Sequence, residues 1–508
     1  MGIATENIAP ISIGLFAAGI LIWGYFRARP YGKIGLLSWL QSVSVTAPWL
    51  LFFALFSAGI YVNFAAVLLS IVVSVLTYIG LGRMLRAAAV DPEQRAILEK
   101  LAKAKRLSET DDSPNDSTSE SLSDKARQAL EELPEDLETD LAIPDPDLQA
   151  IQGIFGIDTF FCTETVPYQS GAIFKGNLRA DAEVAHRELS KKLHDRLAER
   201  YRLFLINNPE GKPVVVVLPS ESDPKPLTLS QQLLAVALFV ATIATSLETG
   251  GIFLGFDIFE NFGRWQEAIP LALGIWAVLL VHELGHRMMA SRYGVRLSPP
   301  FFLPTWQIGS FGAITRFESI PANRSVLFDV SIAGPVAGGL FSLGLLTVGL
   351  ILSHEGSLFQ LPTEFFRGSV LVALLAKILL GDVLQQTLVD VHPLVVLGWL
   401  GLVVNAINLM PAGQLDGGRV IQAIYGRKIA ARSTVATLIV LAIASFVNPL
   451  ALYWAIVILV IQRDLERPSF NEITEPNDTR AIVGLVALLA MLLTLIPLTP
   501  SLALRLGL

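Results

Sequence analysis

Long apolar runs, separated by short polar segments, organise most of this chain. Six runs have the length of one membrane span, and two longer blocks lie at 46–81 and 433–462; the six are residues 8–26, 231–254, 268–286, 327–352, 393–411 and 481–498. A helix crosses a bilayer with about 20 apolar residues. Each longer block therefore predicts a hairpin, bent near 58–63 and 448–449, although one overlong helix at 46–81 is the alternative. The pattern predicts a polytopic α-helical membrane protein with about 8–10 spans.

The polar segments differ in kind from one another. Residues 107–148 hold 14 acidic side chains against Lys125 and Arg127, a net charge of −12 (2 − 14). This composition predicts a disordered acidic linker, or a docking segment that folds on a basic partner. Residues 181–204 instead place apolar side chains at helical spacing, and 214–218 form a short β-rich run. They predict a small α+β domain on the cytoplasmic side of the membrane.

These changes divide the chain into five segments. They are N-terminal spans at 1–86, a charged helix with the acidic linker at 87–148, the α+β domain at 149–228, a membrane core at 229–465, and a C-terminal loop and span at 466–508. Composition supports the membrane assignment, because 52% of the residues are hydrophobic and 16% are charged. A soluble domain usually carries about a quarter charged residues. The stretch 366–383 is too short for a span and is expected at the interface.

His282, Glu283 and His286 form an H-E-x-x-H pattern at the end of an apolar run. A charged group at mid-bilayer costs about 2.5–3.5 kcal/mol on insertion scales, so such residues usually serve a function. The spacing of four residues places both imidazoles on one helical face, where both can bind one metal ion. Glu283 can then accept a proton from the attacking water. The alternatives are a buried helix with paired polar residues and a metal site without peptidase chemistry.

Asp416 is the best candidate for the third protein ligand that a zinc site needs. It lies in the segment 408–418, where Pro411 and several glycines prevent a regular helix. Irregular backbone at membrane depth is tolerated only where protein buries it or a polar cavity hydrates it. Asp416 is therefore expected to face the same cavity as the histidines. A turn aspartate that caps a short helix at Gly417 is the alternative.

The two segments together resemble the motifs H-E-x-x-H and N-x-x-P-x-x-x-L-D-G of the site-2 protease family, the intramembrane zinc peptidases of family M50. The resemblance covers about residues 229–465 and implies one zinc ion per chain. It implies His282, His286 and Asp416 as ligands and Glu283 as general base. Asn408 matches the asparagine that is thought to hold the substrate strand or the oxyanion.

Two further segments extend this resemblance. Small residues at 333–339 resemble those of the helix between the two motifs. Gly-Asn-Leu-Arg at 176–179 resembles a signature of the plastid and cyanobacterial EGY-like branch, and brings the similarity back to about residue 149. From their pattern alone, residues 176–179 are expected to form a turn before the helix at 181–204. The functional interpretation is a substrate-filtering or docking element beside the membrane.

The resemblance implies a zinc-dependent intramembrane endopeptidase that hydrolyses peptide bonds within or near transmembrane segments, as in regulated intramembrane proteolysis. The expected partners are transmembrane substrates and the lipid bilayer, without nucleic acid. A metal transporter is one alternative, but its ligands would repeat along a path through the membrane. A catalytically silent scaffold or assembly factor is the other. All matched positions are present in this chain, which favours an active enzyme.

The loop 287–326 is apolar, and its β-branched and aromatic residues between glycines and prolines predict strands. One interpretation is a sheet edge that receives an unwound substrate segment as an added strand. An interfacial loop that holds the spans apart is the alternative. Thr315, Arg316 and Phe317 are the candidate substrate contacts.

Basic residues that follow both zinc motifs predict that the active site opens to the cytoplasm. They are Arg287, Arg292, Arg296, Arg316 and Arg324 after the first motif, and Arg419, Arg427, Lys428 and Arg432 after the second.

The remaining features concern location and ordinary packing. No Arg- and Ser-rich leader precedes the first apolar run, which predicts a bacterial plasma or thylakoid membrane of the cyanobacterial type, or a processed form. Cys162 is the only cysteine and cannot form an internal disulfide, so it is expected to be a packed residue. His186 and His194 are too far apart on their predicted helix to share a metal ion.

Overall fold

A computed structural model describes residues 143–503 of the chain, apart from residues 169, 209, 306–307, 447, 463, 500 and 502, and scattered positions between 24 and 85. The chain divides into two compact units, one of Thr139–Val440 with Trp454–Leu508 and one of Met1–Glu138 with Leu441–Tyr453. The predicted N-terminal spans lie almost wholly outside the described residues. The charged helix and most of the acidic linker also lie outside them.

The unit of Thr139–Val440 with Trp454–Leu508, which we call the first unit, begins with a small α+β domain. Its elements are α1 (Asp145–Gln152), β1 (Phe160–Tyr168), β2 (Gly171–Leu178), α2 (Ala182–Leu197), β3 (Tyr201–Asn207) and β4 (Pro213–Pro219). The strands form one antiparallel sheet in the order β1-β2-β4-β3. Asp181 starts α2 by accepting hydrogen bonds from the backbone N–H groups of the first turn. The apolar face of α2 then packs in the domain core, with Ala185, Leu189, Leu193 and Leu197 buried.

The helix predicted over 181–204 is confirmed in its first part and wrong at its end. It ends at Leu197, where Ala198 has a φ of 50° and breaks the helical path. Tyr201 begins β3 and pairs with Pro219. Its side chain is buried in the domain core. A buried apolar residue at this position fits the periodicity of a helix and also that of a strand. Sheet pairing decides between them.

The folded domain begins before the predicted end of the acidic linker. Asp147 is buried and accepts hydrogen bonds from the Arg200 guanidinium at 2.8 Å and the Tyr201 hydroxyl at 2.9 Å. Its charge is therefore paired, and the prediction of disorder is wrong for residues 143–148.

Residues 176–178 lie in β2 rather than in the predicted turn. Gly176 and Asn177 pair with Cys162 and Phe161 of β1. A Cβ atom at Gly176 would lie 2.1 Å from the Phe161 carbonyl oxygen. The glycine is therefore required by the close approach of two strands, and only Arg179 follows the strand as an exposed side chain.

The environment of His186 predicts that the stability of this domain depends on pH. Its Nε2 lies 3.4 Å from the Leu203 carbonyl oxygen and 3.3 Å from Ser190 Oγ. Burial lowers the pKa of His186 below its ordinary value, and the hydrogen bond to Leu203 offsets only part of this effect. Because the pKa of His186 is lower in the folded state, neutral His186 contributes its full stabilisation above the unfolded pKa of about 6.5. This contribution is lost as the pH falls below that value.

We expect amide protection factors in β3 of the full-length protein to fall between about pH 7.5 and pH 5.5. The His186→Gln variant should lose this pH dependence, because glutamine does not titrate. The exposed His194 gives a matched control, and His194→Gln should keep the wild-type slope. Equal slopes for wild type and His186→Gln would contradict the assignment. Hydrogen exchange read by mass spectrometry provides the measurement.

The elements that follow this domain are mostly helical. They are α3 (Leu229–Phe253), α4 (Trp265–Arg292), β5 (Phe301–Thr305), β6 (Gly309–Ile314), α5 (Arg324–Leu352), β7 (Phe359–Pro362), α6 (Thr363–Arg367), α7 (Val370–Leu380), β8 (Leu388–Val391), α8 (Pro393–Asn408), α9 (Asp416–Tyr425), α10 (Arg427–Ala444), α11 (Pro449–Ile461) and α12 (Asp478–Leu495). Within the described residues, α3, α4, α5 and α12 are long and apolar enough to cross a membrane. The mostly helical fold with an α+β region before it is confirmed, and the count of 8–10 spans stays a prediction.

Several local predictions have a clear outcome. The stretch 366–383 includes the end of α6 and all of α7, which are too short for a span, and its position at the interface stays a prediction. The break predicted near 448–449 lies between the end of α10 at Ala444 and the start of α11 at Pro449. The strands predicted in the loop 287–326 are β5 and β6, which form an antiparallel hairpin. A second two-stranded antiparallel sheet, β7 with β8, was not predicted.

The helix α5 lies at the centre of the membrane region, in contact with α4, α8 and α9. Small residues allow these close approaches, as is common between membrane helices. A Cβ atom at Gly285 of α4 would lie 2.5 Å from the Ala333 carbonyl oxygen. One at Gly398 of α8 would lie 2.3 Å from the Leu346 backbone nitrogen. The glycines therefore allow α4 and α8 to lie close against α5, at the helices that surround the predicted site.

Candidate metal centre

Two histidines of α4 and the first residue of α9 meet in the interior of the first unit. His282, His286 and Asp416 are all buried, with exposed fractions of 6%, 5% and 8%. One ligand atom from each lies within 4.8 Å of the others. Among the described residues, this is the group of His, Cys, Asp or Glu side chains that could hold a metal ion.

The spacing of these ligand atoms fits tetrahedral zinc. His282 Nε2 and His286 Nε2 are 3.1 Å apart. Asp416 Oδ2 lies 3.3 Å from each of them. Zinc with ligand distances of about 2.0–2.1 Å places tetrahedral ligand atoms about 3.3–3.4 Å apart. The triangle therefore has nearly the size that one zinc ion requires, and three protein ligands leave a fourth position for water or substrate.

Hydrogen bonds on the far side of each imidazole orient both histidines. His282 Nδ1 lies 2.8 Å from Asn405 Oδ1 and donates to it, while the Asn405 amide donates to the Gly401 carbonyl oxygen at 2.8 Å. His286 Nδ1 donates to the Val330 carbonyl oxygen at 2.8 Å. Protonation at Nδ1 leaves each Nε2 lone pair free for the metal, and such outer contacts tune metal sites strongly. Sequence reasoning missed Asn405, although it is a polar residue within an apolar run.

The small residues of α5 make room for the ligands. A Cβ atom at Gly334 would lie 2.2 Å from His286 Nε2, the ligand atom itself. One at Gly338 would lie 2.4 Å from Asn405 Oδ1 and 3.0 Å from the Cβ atom of His282. The segment 333–339, noted in the sequence for its small residues, thus forms the wall against which the histidines lie.

Asp416 is held by the irregular segment that precedes it. The backbone of 409–413 turns back over the first turn of α9, and a Cβ atom at Gly417 would lie 1.9 Å from the Leu409 carbonyl oxygen. The predicted break in the helix is thus present at the Pro411 region. Asp416 also begins a short helix, as the alternative interpretation expected, and a carboxylate is favourable at that end. Its Oδ2 atom nevertheless faces the two histidines.

Glu283 lies beside the ligands without joining them. Its Oε2 accepts a hydrogen bond from the Thr315 hydroxyl at 2.9 Å. Its Oε1 lies 2.8 Å from Arg287 Nε, one helical turn further along α4, in an ion pair without hydrogen-bond geometry. Glu283 is buried, with 6% of its surface exposed. It is thus fixed next to the metal position and keeps one oxygen atom without a donor.

Asn408 lies in the last turn of α8, and its amide group points to the β5–β6 hairpin. Asn408 Nδ2 donates to the Phe311 carbonyl oxygen at 3.2 Å and to the Val404 carbonyl oxygen at 2.9 Å. Gly312, with a φ of 101°, leaves the space that this amide occupies. Asn408 therefore holds β6 against α8, and its contact with substrate stays a prediction.

The three candidate substrate contacts differ in their accessibility. Thr315 is buried and holds Glu283, and Phe317 is buried beneath the guanidinium of Arg419, whose Cζ lies 4.9 Å from the ring centroid. Arg316 is exposed. Thr315 and Phe317 therefore contact buried residues of the site, and Arg316 is the one of the three whose side chain is exposed. Their contact with substrate also stays a prediction.

Some basic residues that were used to predict the orientation are part of the protein interior. Arg324 is 5% exposed and donates to the carbonyl oxygens of Ala423 and Ile424, each at 2.7 Å. Arg419 is 5% exposed and pairs with Glu466. Buried and paired arginines carry no information on which side of the membrane a loop lies. The use of Arg324 and Arg419 to predict the orientation of the site was therefore wrong. Exposed basic residues remain near both motifs, at Arg292, Arg296, Arg316, Lys428 and Arg432.

The fold and the site together define a membrane protein with a three-ligand metal centre of the H-E-x-x-H type. Residues 270–448 match the family model of peptidase family M50, and residues 149–226 match the model described as the EGY3 middle domain. No solved structure matches the chain.

Three plant proteins illustrate the relationship. The probable zinc metalloprotease EGY2, chloroplastic, of Arabidopsis thaliana is 38% identical over 376 residues, which cover 72% of this chain and 67% of that protein. EGY1 of the same plant is 36% identical over 392 residues, covering 70% and 71%. EGY3 is 32% identical over 377 residues, covering 69% and 65%. The chain belongs to peptidase family M50, in its EGY-like branch.

The location of the protein is supported only in its general form. The relatives are chloroplastic by name, and the apolar helices are compatible with a membrane. The predicted bacterial membrane of the cyanobacterial type gains no support from these relatives and stays a prediction.

Proposed function

We propose that this protein is a zinc metalloendopeptidase that cleaves membrane proteins within or near their transmembrane segments. The observation that carries the proposal is the triangle of His282, His286 and Asp416 among apolar helices, with Glu283 beside it and outside the ligand set. An adjacent carboxylate that is not a ligand is what general-base chemistry requires. A metal store or structural metal site would not require it.

The residues of the site divide the reaction among them. Zinc, when bound by His282, His286 and Asp416, supplies a Lewis acid that lowers the pKa of water towards about 7 and polarises a carbonyl group. Glu283 accepts the proton of the attacking water and delivers it to the leaving amine. The Thr315 hydroxyl fixes Oε2, which leaves proton transfer to Oε1, the oxygen that pairs with Arg287 without a hydrogen bond.

The depth of the site indicates where a substrate would be cut. His286 lies six residues, and His282 ten residues, before Arg292, the last residue of α4. At 1.5 Å per residue these positions are about 9–15 Å from the helix end. The exposed basic residues near this end favour a cytoplasmic opening. The scissile bond of a substrate span would then lie within the apolar layer, near its cytoplasmic end.

We expect cleavage to depend on local unwinding of the substrate. A regular helix keeps its carbonyl groups in internal hydrogen bonds, and proline or glycine weakens these bonds. Two single-span substrates should be compared, identical except for a Gly-Pro pair or a Leu-Leu pair in the cytoplasmic third of the span. The Gly-Pro substrate should be cleaved at least about tenfold faster, near that pair. Mass spectrometry of the products in detergent or liposomes gives both the rate and the position of the cut.

The same substrates separate the proposal from its rivals. Moving the Gly-Pro pair to the opposite third of the span provides the matched control and should abolish the advantage. Cleavage confined to a soluble loop, regardless of the span sequence, would contradict an intramembrane substrate site.

A further inference from the structure

The segment 464–472, which we name the C-terminal strap, lies along the helix that carries Asp416. The Gln414 amide donates to the Leu465 carbonyl oxygen at 3.4 Å, and the Gln422 amide donates to the Glu466 carbonyl oxygen at 3.1 Å. Arg427 also donates to the Glu466 carbonyl oxygen. The strap lies beyond residues 270–448, which match the peptidase family model. The strap therefore lies outside the matched residues but contacts α9, which lies within them.

The strap also joins α9 to the α+β domain. Leu205 of β3 exchanges backbone hydrogen bonds with Phe470 and Glu472, at 2.8 Å and 2.9 Å. Phe470 and Asn471 donate to the carbonyl oxygens of Pro321 and Ala322, each at 3.0 Å. The strap thus runs as an extended segment between β3 and the entrance to α5, so its position is fixed on both sides.

Glu466 is a buried carboxylate with both oxygen atoms satisfied. Its Oε2 accepts from Arg419 Nε at 2.9 Å, and its Oε1 accepts from the Arg467 backbone N–H at 3.2 Å. It is 7% exposed. Removing one member of such a buried pair leaves an uncompensated charge, which is far more costly than the loss of a surface ion pair.

Arg419 connects this carboxylate to the metal centre. Its NH2 group donates to the Thr315 carbonyl oxygen at 2.9 Å, and its NH1 group lies 3.8 Å from Asp416 Oδ1. The Thr315 hydroxyl in turn donates to Glu283. One buried guanidinium therefore contacts a metal ligand directly and the general base through one residue. Its preferred carboxylate in this arrangement is Glu466, since that distance is the shorter of the two.

We propose that Glu466 is a positioning residue for the metal centre, and this inference rests on the proposed zinc site. Glu466 neutralises Arg419 and takes its closer contact, at 2.9 Å against 3.8 Å for Asp416, so that the Asp416 carboxylate is free to bind the metal. Without Glu466, Asp416 becomes the nearest carboxylate for the buried guanidinium. Arg419 and the metal then compete for the Asp416 carboxylate.

The test compares zinc affinity in three forms of the full-length, detergent-solubilised protein. They are wild type, Glu466→Gln, and the control Glu475→Gln, which changes the same charge on an exposed residue that faces Arg324 at 3.6 Å. Competition with a chromophoric chelator should show zinc binding about 10–100-fold weaker in Glu466→Gln. The visible spectrum of the Co²⁺-substituted protein should change in Glu466→Gln alone. The Glu475→Gln control should match wild type in both measurements.

A double variant separates positioning from a general loss of structure. In Glu466→Gln/Arg419→Gln no buried guanidinium competes for Asp416, so zinc affinity should rise above that of Glu466→Gln. A double variant that binds zinc as weakly as the single variant would overturn the proposed route through Arg419. Wild-type affinity in Glu466→Gln would overturn the positioning role and leave the proposed function intact. A wild-type protein without zinc would overturn the proposed function itself.

Discussion

Replacing Glu283 with glutamine is expected to abolish peptide cleavage while zinc stays bound. Glu283 lies outside the triangle of ligand atoms, and its carboxylate is held by Thr315 at 2.9 Å. Glutamine has nearly the same volume and can still accept that hydrogen bond, but it cannot accept a proton. General-base catalysis typically contributes about 10²–10⁴-fold to the rate, so cleavage of the Gly-Pro substrate should fall by at least the lower figure. Initial rates and elemental analysis of the same sample measure both properties.

Glu267 provides a matched control on the same helix. It lies in the first turn of α4, where it pairs with Arg264 at the surface, and Glu267→Gln should retain wild-type activity. Loss of zinc in Glu283→Gln would assign this residue a role as a ligand and contradict the account. Zinc-loaded wild type that cleaves neither substrate would instead favour the silent scaffold.

The Gly334→Ala variant is expected to lose most of its zinc affinity from the addition of one methyl group. The new Cβ atom would lie 2.2 Å from His286 Nε2 and 2.4 Å from its Cδ2. The imidazole must therefore move away from the position that binds the metal. Overpacking of a buried site costs about 1–3 kcal/mol, and tenfold weaker binding corresponds to about 1.4 kcal/mol. Zinc binding should thus weaken by about 5-fold to 100-fold, with a parallel loss of cleavage.

Gly339→Ala is the control for this variant. Gly339 lies on the same helix, five residues further, and a Cβ atom there meets nothing within 4 Å. It makes the same chemical change without approaching the histidines. Equal zinc affinity in the two variants, measured by chelator competition, would show that the wall of the site is not where the structure places it.

The grouping of His282, His286 and Asp416 could be predicted from sequence because its parts follow local rules. Spacing of four residues places His282 and His286 on one face of a helix whatever surrounds it. Pro411 and the glycines that follow it break the second helix by their own backbone properties. The helical part of α2 was predictable for the same reason, since its buried residues recur at every fourth position.

The partners of these residues could not be predicted in this way. Asn405 reaches His282 across 123 positions of the chain, and Glu466 reaches Arg419 across 47. Such pairs depend on how helices pack, and a single sequence holds no record of it. Tyr201 illustrates the same limit within one domain, because its burial fits a helix or a strand until β4 pairs with it. Thr315 was singled out as a substrate contact, which stays a prediction, and its hydroxyl donates to Glu283.

The charge pattern was the weakest guide for a physical reason. Positive charge predicts orientation only when it remains at the membrane surface. Arg324 and Arg419 lie in the interior, where backbone carbonyl groups and a carboxylate neutralise them. Basic residues next to the two motifs can therefore belong to the protein interior rather than to the membrane surface.

The most direct test of the account is the zinc content of the purified, folded wild-type protein. The spacing of His282, His286 and Asp416 predicts one zinc ion per chain. Elemental analysis after removal of loosely bound metal should give a ratio close to one. A folded protein with no zinc, and none taken up on addition of the metal, would contradict the metal centre and every step derived from it.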